Sequence, residues 1–425
     1  MVMSIRVFHC NYRRLLQLGS MIALILKSLP LAAADTGSPI WSHDVIHQPY
    51  DLGLISDVTG DGRPDVITGT IGDKVHCLSG ATGAERWSFP TNGTVWAVAG
   101  LGDVNGDGKE DVLTGTANNE AHAISGGGSG TASQLWINSV TGDVWTVCSI
   151  GDISGDGRRE AVIGTGDNRV ICYSGASGSQ RWSRTLGSDV WMVKATNDVT
   201  GDGKDEVIAG NADNSLYLLN GASGQVVWSS PMGGDVWCVD SHADIDGDSA
   251  MDVLAGTGMN DVVCVSGGGA NAGHIVWSRN TTGDVRVVRS IPDLTGDGIP
   301  DVAAGNDAGT LYVLDGKDGV VLWSVSNGKS PVLSIATITD FTSDNREEIA
   351  CGNADGFVGC YSGRTGALLW QYNFASGTSV DRIISMPDIS GDPIDDLVSI
   401  SSDGLVASFR GRVRDSSAHQ WHAYR

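Results

Sequence analysis

No two cysteines are adjacent in this chain, and no Cys or His group has metal-ligand spacing. No apolar run approaches the ~20 residues that a membrane span needs. Each absence removes a class of protein. Nine scattered histidines do not encode a zinc site. A G-x-S-x-G elbow and a glycine-rich phosphate loop are also missing, so no catalytic constellation is legible. Positive charge is scarce: 27 Lys and Arg stand against 50 Asp and Glu, for a formal net charge of −23. That balance argues against nucleic acid as a partner.

The basic residues Arg6, Arg13 and Arg14 precede a short apolar run, Met21–Leu26, and the small-residue stretch Ala32-Ala33-Ala34. Residues 1–34 therefore read as a signal peptide cleaved after Ala34. Lys27 and Pro30 interrupt the run and speak against an anchored helix. The expectation is a monomer outside the cytoplasm, extracellular or periplasmic, without membrane insertion. Residues 35–411 form its body, and residues 412–425 a tail with no sorting motif or anchor.

What the chain has instead is an acidic motif in eight copies. The first is Asp57-Val58-Thr59-Gly60-Asp61-Gly62-Arg63-Pro64-Asp65. Later copies begin at nearly equal intervals, the next three at Asp103, Asp152 and Asp198. A fixed period of this length marks a propeller or a solenoid. The 59 glycines recur mostly at repeat positions, which indicates tight turns rather than disorder.

Residues 94–136 show the plan of one unit. Val95, Ala97 and Val98 begin a strand, and the acidic loop follows from Asp103 to Asp111. Val112–Gly115 reads as a second strand. A turn at Asn118-Asn119 leads to a third, Glu120–Ser125, and a Gly-rich turn to a fourth, carrying Trp136. Runs this short, bounded by Gly, Asn and Asp, are strands. The expected fold is all-β: an eight-bladed propeller with four antiparallel strands per blade.

The tryptophans locate the ring closure. Trp87, Trp136, Trp182, Trp228, Trp277, Trp323 and Trp370 each follow their repeat's first Asp at one of two offsets. One is the offset of Trp87 from Asp57, the other that of Trp136 from Asp103. Trp41 precedes Asp57 by the same interval that separates Trp87 from Asp103. It thus belongs to a fourth strand with no blade before it, and closing the eighth blade with that strand would remove a sheet edge. Trp421 offers a competing closure, since it follows Asp388 at the offset of Trp136 from Asp103. The local match of I-W-S to V-W-S and R-W-S favours Trp41.

Cysteines follow the same period. Cys77, Cys172, Cys264 and Cys360 all fall at one offset from a first Asp, which marks a small buried strand position. Cys351 and Cys360 flank the turn around Asp355-Gly356. A two-residue turn there would set them opposite each other and permit a cross-strand disulfide.

Calcium takes six to eight hard oxygen ligands, and the motif supplies side-chain oxygens at four fixed positions. Position 1 holds Asp57, Asp103, Asp152, Asp198, Asp244, Asp293, Asp340 and Asp388. Position 3 holds Thr59, Asn105, Ser154, Thr200, Asp246, Thr295, Thr342 and Ser390. Position 5 holds Asp61, Asp107, Asp156, Asp202, Asp248, Asp297, Asp344 and Asp392. Position 9 holds Asp65, Asp111, Glu160, Glu206, Asp252, Asp301, Glu348 and Asp396. Position 7 can add its carbonyl, and Gly at positions 4 and 6 lets the chain fold back. Up to eight structural Ca2+ sites are expected. Ser249, the pair Ser343 and Asn345, and Pro393 replace these glycines in copies five, seven and eight, which predicts weaker sites there. Asp-Gly sequences also make good turns without any metal.

The acidic loops resemble FG-GAP and VCBS repeats, the type found in the integrin alpha-subunit propeller, over residues 39–411. Stretches such as Gly80-Ala81-Thr82-Gly83 before Trp87, and Gly363-Arg364-Thr365-Gly366 before Trp370, resemble the tryptophan docking motif of PQQ-like propellers. That second resemblance implies tryptophans wedged between neighbouring blades. Quinoprotein dehydrogenases of that kind carry vicinal cysteines, which this chain lacks.

Trp96, Trp145, Trp191 and Trp237 share one position shortly before an acidic loop, where the other units place Tyr50, Arg286, Leu333 and Asp381. Asp143, Asp189, Asp235 and Asp284 lie two positions earlier in their units. At a channel mouth such residues would form an arc of aromatics and carboxylates suited to sugar rings. Packed between blades, the same tryptophans would be core. Two functions follow as expectations. One is a non-enzymatic, exported, calcium-binding adhesion or binding module for a protein or glycan partner. The other is a polysaccharide-active enzyme, similar to rhamnogalacturonan-type lyases on calcium-bearing propellers. The uniform repeat length leaves little room for catalytic insertions and favours the first.

Overall fold

The computed structural model describes residues 39–412, so the predicted signal segment, Cys10 and Trp421 lie outside the described residues. Seven blades are four-stranded antiparallel sheets, and the first gains a fifth strand. Blade 1 runs through Pro49–Ile55, Asp65–Thr70, Lys74–Leu78 and Glu85–Pro90. Blade 8 consists of Val380–Met386, Asp396–Ser401 and Leu405–Phe409, completed by Pro39–Asp44 from the start of the described chain. Trp41 pairs with Ser408 in that sheet, so the N-terminal strand closes the ring, as its spacing from Asp57 predicts. Innermost strands of consecutive blades pack on one another around the axis, including those of blades 1 and 8. The extra strand, Gly130–Thr131, pairs in parallel with Trp87–Ser88 and covers the outer edge of blade 1.

Second strands are buried along their whole length, because each lies between two neighbouring blades. Their β-branched and small residues fill the layer between sheets, as in Asp65–Thr70 with Val66, Ile67 and Gly69. Gly69 is required there: a Cβ would stand 2.3 Å from Val95 of the next blade.

The outer-strand tryptophans make the ring. Each donates its indole N–H to a glycine carbonyl of the following blade. Trp87 reaches Gly126 at 3.0 Å, Trp136 reaches Gly175 at 2.6 Å, and Trp370 reaches Gly411 at 2.7 Å. Trp41 does the same to Gly80 at 2.8 Å, so blade 8 docks on blade 1 as every other blade docks on its successor. Eight such bonds close the circle. This is the wedging that the PQQ-like resemblance implies.

The cysteine expectation divides. Cys77, Cys172, Cys264 and Cys360 are fully buried strand residues, as their period indicates. The Cys351–Cys360 disulfide is not formed, and both thiols are free. The loop between Glu348–Asn353 and Phe357–Tyr361 spans residues 354–356 rather than two, which slips the register by one. Cys351 therefore pairs with Gly359, and Cys360 with Ala350. A one-residue slip sends the two side chains to opposite faces of the sheet. Cys351 packs toward blade 6 and Cys360 toward blade 8.

Candidate functional site

Each acidic loop joins the first to the second strand of its blade, and all eight lie at the same end of the inner strands. In blade 1, the Asp57 carboxylate accepts the N–H groups of Gly60 at 2.5 Å, Asp61 at 3.1 Å and Gly62 at 2.7 Å. Folding three amides onto one carboxylate needs left-handed backbone at positions 4 and 6, and Gly60 and Gly62 take φ of 83° and 86°. The Thr59 hydroxyl lies 3.4 Å from Asp57 and 3.1 Å from Asp65. Buried Asp65 accepts Val58 and Thr59 N–H groups, both at 2.8 Å, and the Gly80 N–H at 3.1 Å. That glycine also receives the Trp41 indole, so loop, glycine and blade-to-blade tryptophan form one hydrogen-bonded chain. The link recurs at Asp111–Gly126, Asp252–Gly267, Asp301–Gly316 and Asp396–Gly411.

Several loops could hold a metal ion. Among the described residues, three carboxylates gather within 4.8 Å at Asp57, Asp61 and Asp65; at Asp152, Asp156 and Glu160; at Asp198, Asp202 and Glu206; and at Asp244, Asp246 and Asp248. The first, third and fourth are among the sites predicted strong. The fifth is one predicted weak, and the reason is local. Ser249 takes φ of 72° in place of glycine and donates its N–H to Asp244 at 2.8 Å, while Asp246 adds a third carboxylate. In blade 2, Asn105 stands at position 3 and its Nδ2 donates to Asp107 at 3.0 Å; a half-turn of the amide would present Oδ1 instead.

Electrostatics separates the ends of each loop. N–H groups at position 6, against slight burial, hold Asp152 and Asp198 below the ordinary carboxylate range. Burial pushes Asp111 and Asp252 up to about 6, and Glu348 up to about 7, despite their hydrogen bonds. At these three position-9 carboxylates burial outweighs the hydrogen bonds, with no cation beside them. Glu348 Oε2 and Asp392 Oδ2 are buried with no hydrogen-bond partner, and Glu160 Oε1 has only Arg181 at 3.8 Å. Orphaned buried oxygens in an all-oxygen donor set fit a hard cation such as calcium.

Two features escape a reading of the motif alone. Position 7 contributes its side chain: Lys109 Nζ donates to the Asp57 carbonyl at 3.2 Å, Lys204 to that of Asp152 at 2.8 Å, and Arg158 to that of Asp103. The loops of blades 2, 3 and 4 are thereby each tied to the loop before them. The signal was present, since five of eight position-7 residues are basic in an acidic chain. The second feature is a polar residue at the end of the third strand, at a fixed offset from the first Asp, which touches position 5. Ser79 bonds Asp61 at 2.7 Å, Ser125 bonds Asp107 at 3.3 Å, and Asn220 bonds Asp202 at 2.6 Å. In blade 8 this offset holds exposed Arg410, a cation where the other blades place neutral or acidic groups.

The eighth loop is the poorest on a second count. Pro393 at position 6 has no N–H, and its φ of 37° lies far from the value of about −65° that its ring favours. Pro393→Gly is expected to restore the missing amide bond to Asp388 and to relieve about 1–3 kcal/mol of backbone strain. Thermal melting checks this: the variant should melt higher, and an unchanged or lower midpoint would show that the proline is tolerated.

At the opposite end of the inner strands, about 20 Å away over six residue steps, the predicted arc is assembled. Tyr50 meets Trp96 edge-on, with centroids 4.6 Å apart. Trp96–Trp145, Trp145–Trp191 and Trp191–Trp237 follow at 5.2, 5.9 and 5.4 Å. The Arg286 guanidinium then lies over Trp237 at 4.8 Å. All six side chains are half-buried, whereas the second strands between blades are buried throughout. Trp145 and Trp237 rest on Gly166 and Gly258, where a Cβ would come within 2.6 and 2.8 Å of the indole nitrogen.

The fold and its repeated loops define an eight-bladed β-propeller built from tryptophan-docked acidic repeats. Residues 57–114 and 103–163 match the FG-GAP-like repeat, residues 230–422 the family described as outer membrane protein assembly factor BamB, and residues 176–231 the lambda-carrageenase beta-propeller domain. No curated protein matches by sequence. Among solved structures, Sqt1 from Saccharomyces cerevisiae superposes with a TM-score of 0.73 at 13% identity, covering 89% of this chain and 100% of that one. BamB from Moraxella catarrhalis gives 0.60 at 15% identity, covering 89% and 98%. Sqt1 from Chaetomium thermophilum, bound to the N-terminus of ribosomal protein L10, gives 0.65 at 15%, covering 88% and 100%. At such identities the likeness is one of fold.

Proposed function

We propose that this protein is an exported, calcium-stabilised propeller that binds a protein or glycan partner at the channel mouth without catalysing a reaction on it. The observation that carries this reading is the division of the disc into two faces. One face carries the eight acidic loops, and the other presents a continuous half-buried row of four tryptophans. Half-exposed aromatic rows on a soluble surface mark recognition sites. The match to the BamB description supports a periplasmic or outer-membrane setting, and none of the described helices is long and apolar enough to cross a membrane. The ligand-bound Sqt1 supports a protein partner. One observation favours a second reading, a polysaccharide-active enzyme: part of the chain matches the propeller domain of a lambda-carrageenase.

Trp145→Ala and Trp191→Ala test the face. Fully buried tryptophans cost about 3–5 kcal/mol on truncation. These half-buried ones are expected to cost about half as much while abolishing capture of partners from peptide and glycan arrays. A full core-sized loss of stability with unchanged capture would make the arc structural.

A further inference from the structure

The channel-mouth row is bordered by carboxylates on two sides. Asp143, Asp189, Asp235 and Asp284 enter from the turns before the inner strands. Asp167, Asp213 and Asp307 enter from the turns between second and third strands. Against these seven carboxylates the same turns and strands place two cations in ion pairs. Arg169 pairs with Asp167 at 2.6 Å, and Arg286 pairs with Asp284 at 3.3 Å and Asp307 at 3.5 Å. Arg286 shows what this surface accepts: a guanidinium with its face on Trp237 and its N–H groups on two aspartates. The arrangement combines a cation–π contact with charge-assisted hydrogen bonds.

In the two preceding blades the position of Arg286 is held by half-buried Trp191 and Trp237, and the flanking aspartates remain without a cation. Trp191 has Asp189 two positions before it and Asp213 in the turn beyond, as Arg286 has Asp284 and Asp307. Asp189 and Asp235 have no hydrogen-bond or ion-pair partner among the described side chains. Burial raises the affinity of both for a proton, and neighbouring aspartates add to it: Asp167 and Asp143 for Asp189, Asp284 and Asp213 for Asp235. Asp213 keeps one carboxylate oxygen buried and unbonded, the other accepting the Tyr217 hydroxyl at 2.9 Å. Carboxylates that repel one another beside indole faces complement positive charge.

We infer that the channel mouth recognises a cationic partner, an extended peptide segment whose arginine or lysine side chains seat on the exposed parts of Trp145 and Trp191 between the flanking aspartates. This rests on the channel-mouth reading above and narrows it: a neutral glycan would use the indole faces but would have no need of the carboxylates.

The test titrates the intact calcium-loaded protein with two probes, an amidated hexa-arginine peptide and a neutral glucan hexasaccharide, following tryptophan fluorescence. Asp189→Asn/Asp235→Asn removes two charges at the face. Asp318→Lys makes the same change in net charge at an exposed residue of the turn between third and fourth strands, at the opposite end of its blade. Hexa-arginine is expected to bind the parent and to lose at least tenfold in affinity in the first variant, with little change in the second and with matching melting curves. Equal losses in both would reduce binding to overall charge and overturn the inference. Glucan binding without peptide binding, lost in Trp191→Ala, would keep the face and overturn its cationic selectivity. Binding of neither probe would overturn the face itself.

Discussion

Stripping divalent cations from the purified protein is expected to lower its melting temperature by about 7–14 °C, and about 10 mM calcium to restore it. The loops set that scale. Four of them gather three carboxylates each within 4.8 Å. Sites of extracellular modules bind with Kd of about 10⁻⁴–10⁻³ M, so at about 10 mM calcium each contributes about 1.4–2.7 kcal/mol through mass action. Four such sites give about 6–11 kcal/mol, and a chain of this size has an unfolding entropy of about 0.8 kcal/mol/K. Magnesium should restore less, because it demands a tighter octahedral shell and sheds water reluctantly. Calorimetry and melting run together decide the matter. A flat isotherm with an unmoved midpoint would leave the eight acidic loops as turns only.

Trp41→Ala is expected to cost about 3–5 kcal/mol, as truncation of a buried tryptophan does, whereas Trp421→Ala should stay within about 0.5 kcal/mol. Trp41 is 8% exposed, bonds Gly80 and leaves no room for a Cβ at Gly83, which would come within 2.4 Å of its ring. Its loss therefore removes core packing and the bond between the last blade and the first. Removing residues 39–44 altogether goes further. It exposes the whole edge of Leu405–Phe409, and an unpaired strand edge is a template for aggregation. Chemical denaturation of the two point variants separates the closures: a stable Trp41 variant beside a failing Trp421 variant would assign the last strand to the C-terminus.

The repeat made most of this fold legible. Features that recur within one repeat can be read by aligning the chain with itself, and so the acidic loops, the outer-strand tryptophans and the closure by Trp41 all follow from spacing. Contacts between repeats are harder to read. The bond from Lys109 to the Asp57 carbonyl spans 52 residues and is evident only once consecutive loops are known to be neighbours. The pairing of Cys351 with Gly359 turned on a single residue of turn length, which propensity does not fix. Ser249 shows the limit in the other direction: a serine did what the pattern reserved for glycine, because three amide bonds to Asp244 held it there. The arc was legible as an offset, yet its continuity needed the curvature of the ring to bring Trp96, Trp145, Trp191 and Trp237 into a row.

Closure by Pro39–Asp44 also sets an order in time. Of the described strands, the first made is the last to find its partner, since Trp41 waits for Ser408. At ribosomal rates of about 5–20 residues per second, that wait lasts about 20–70 s. Throughout it the nascent chain cannot form a sealed ring, however many blades have already condensed.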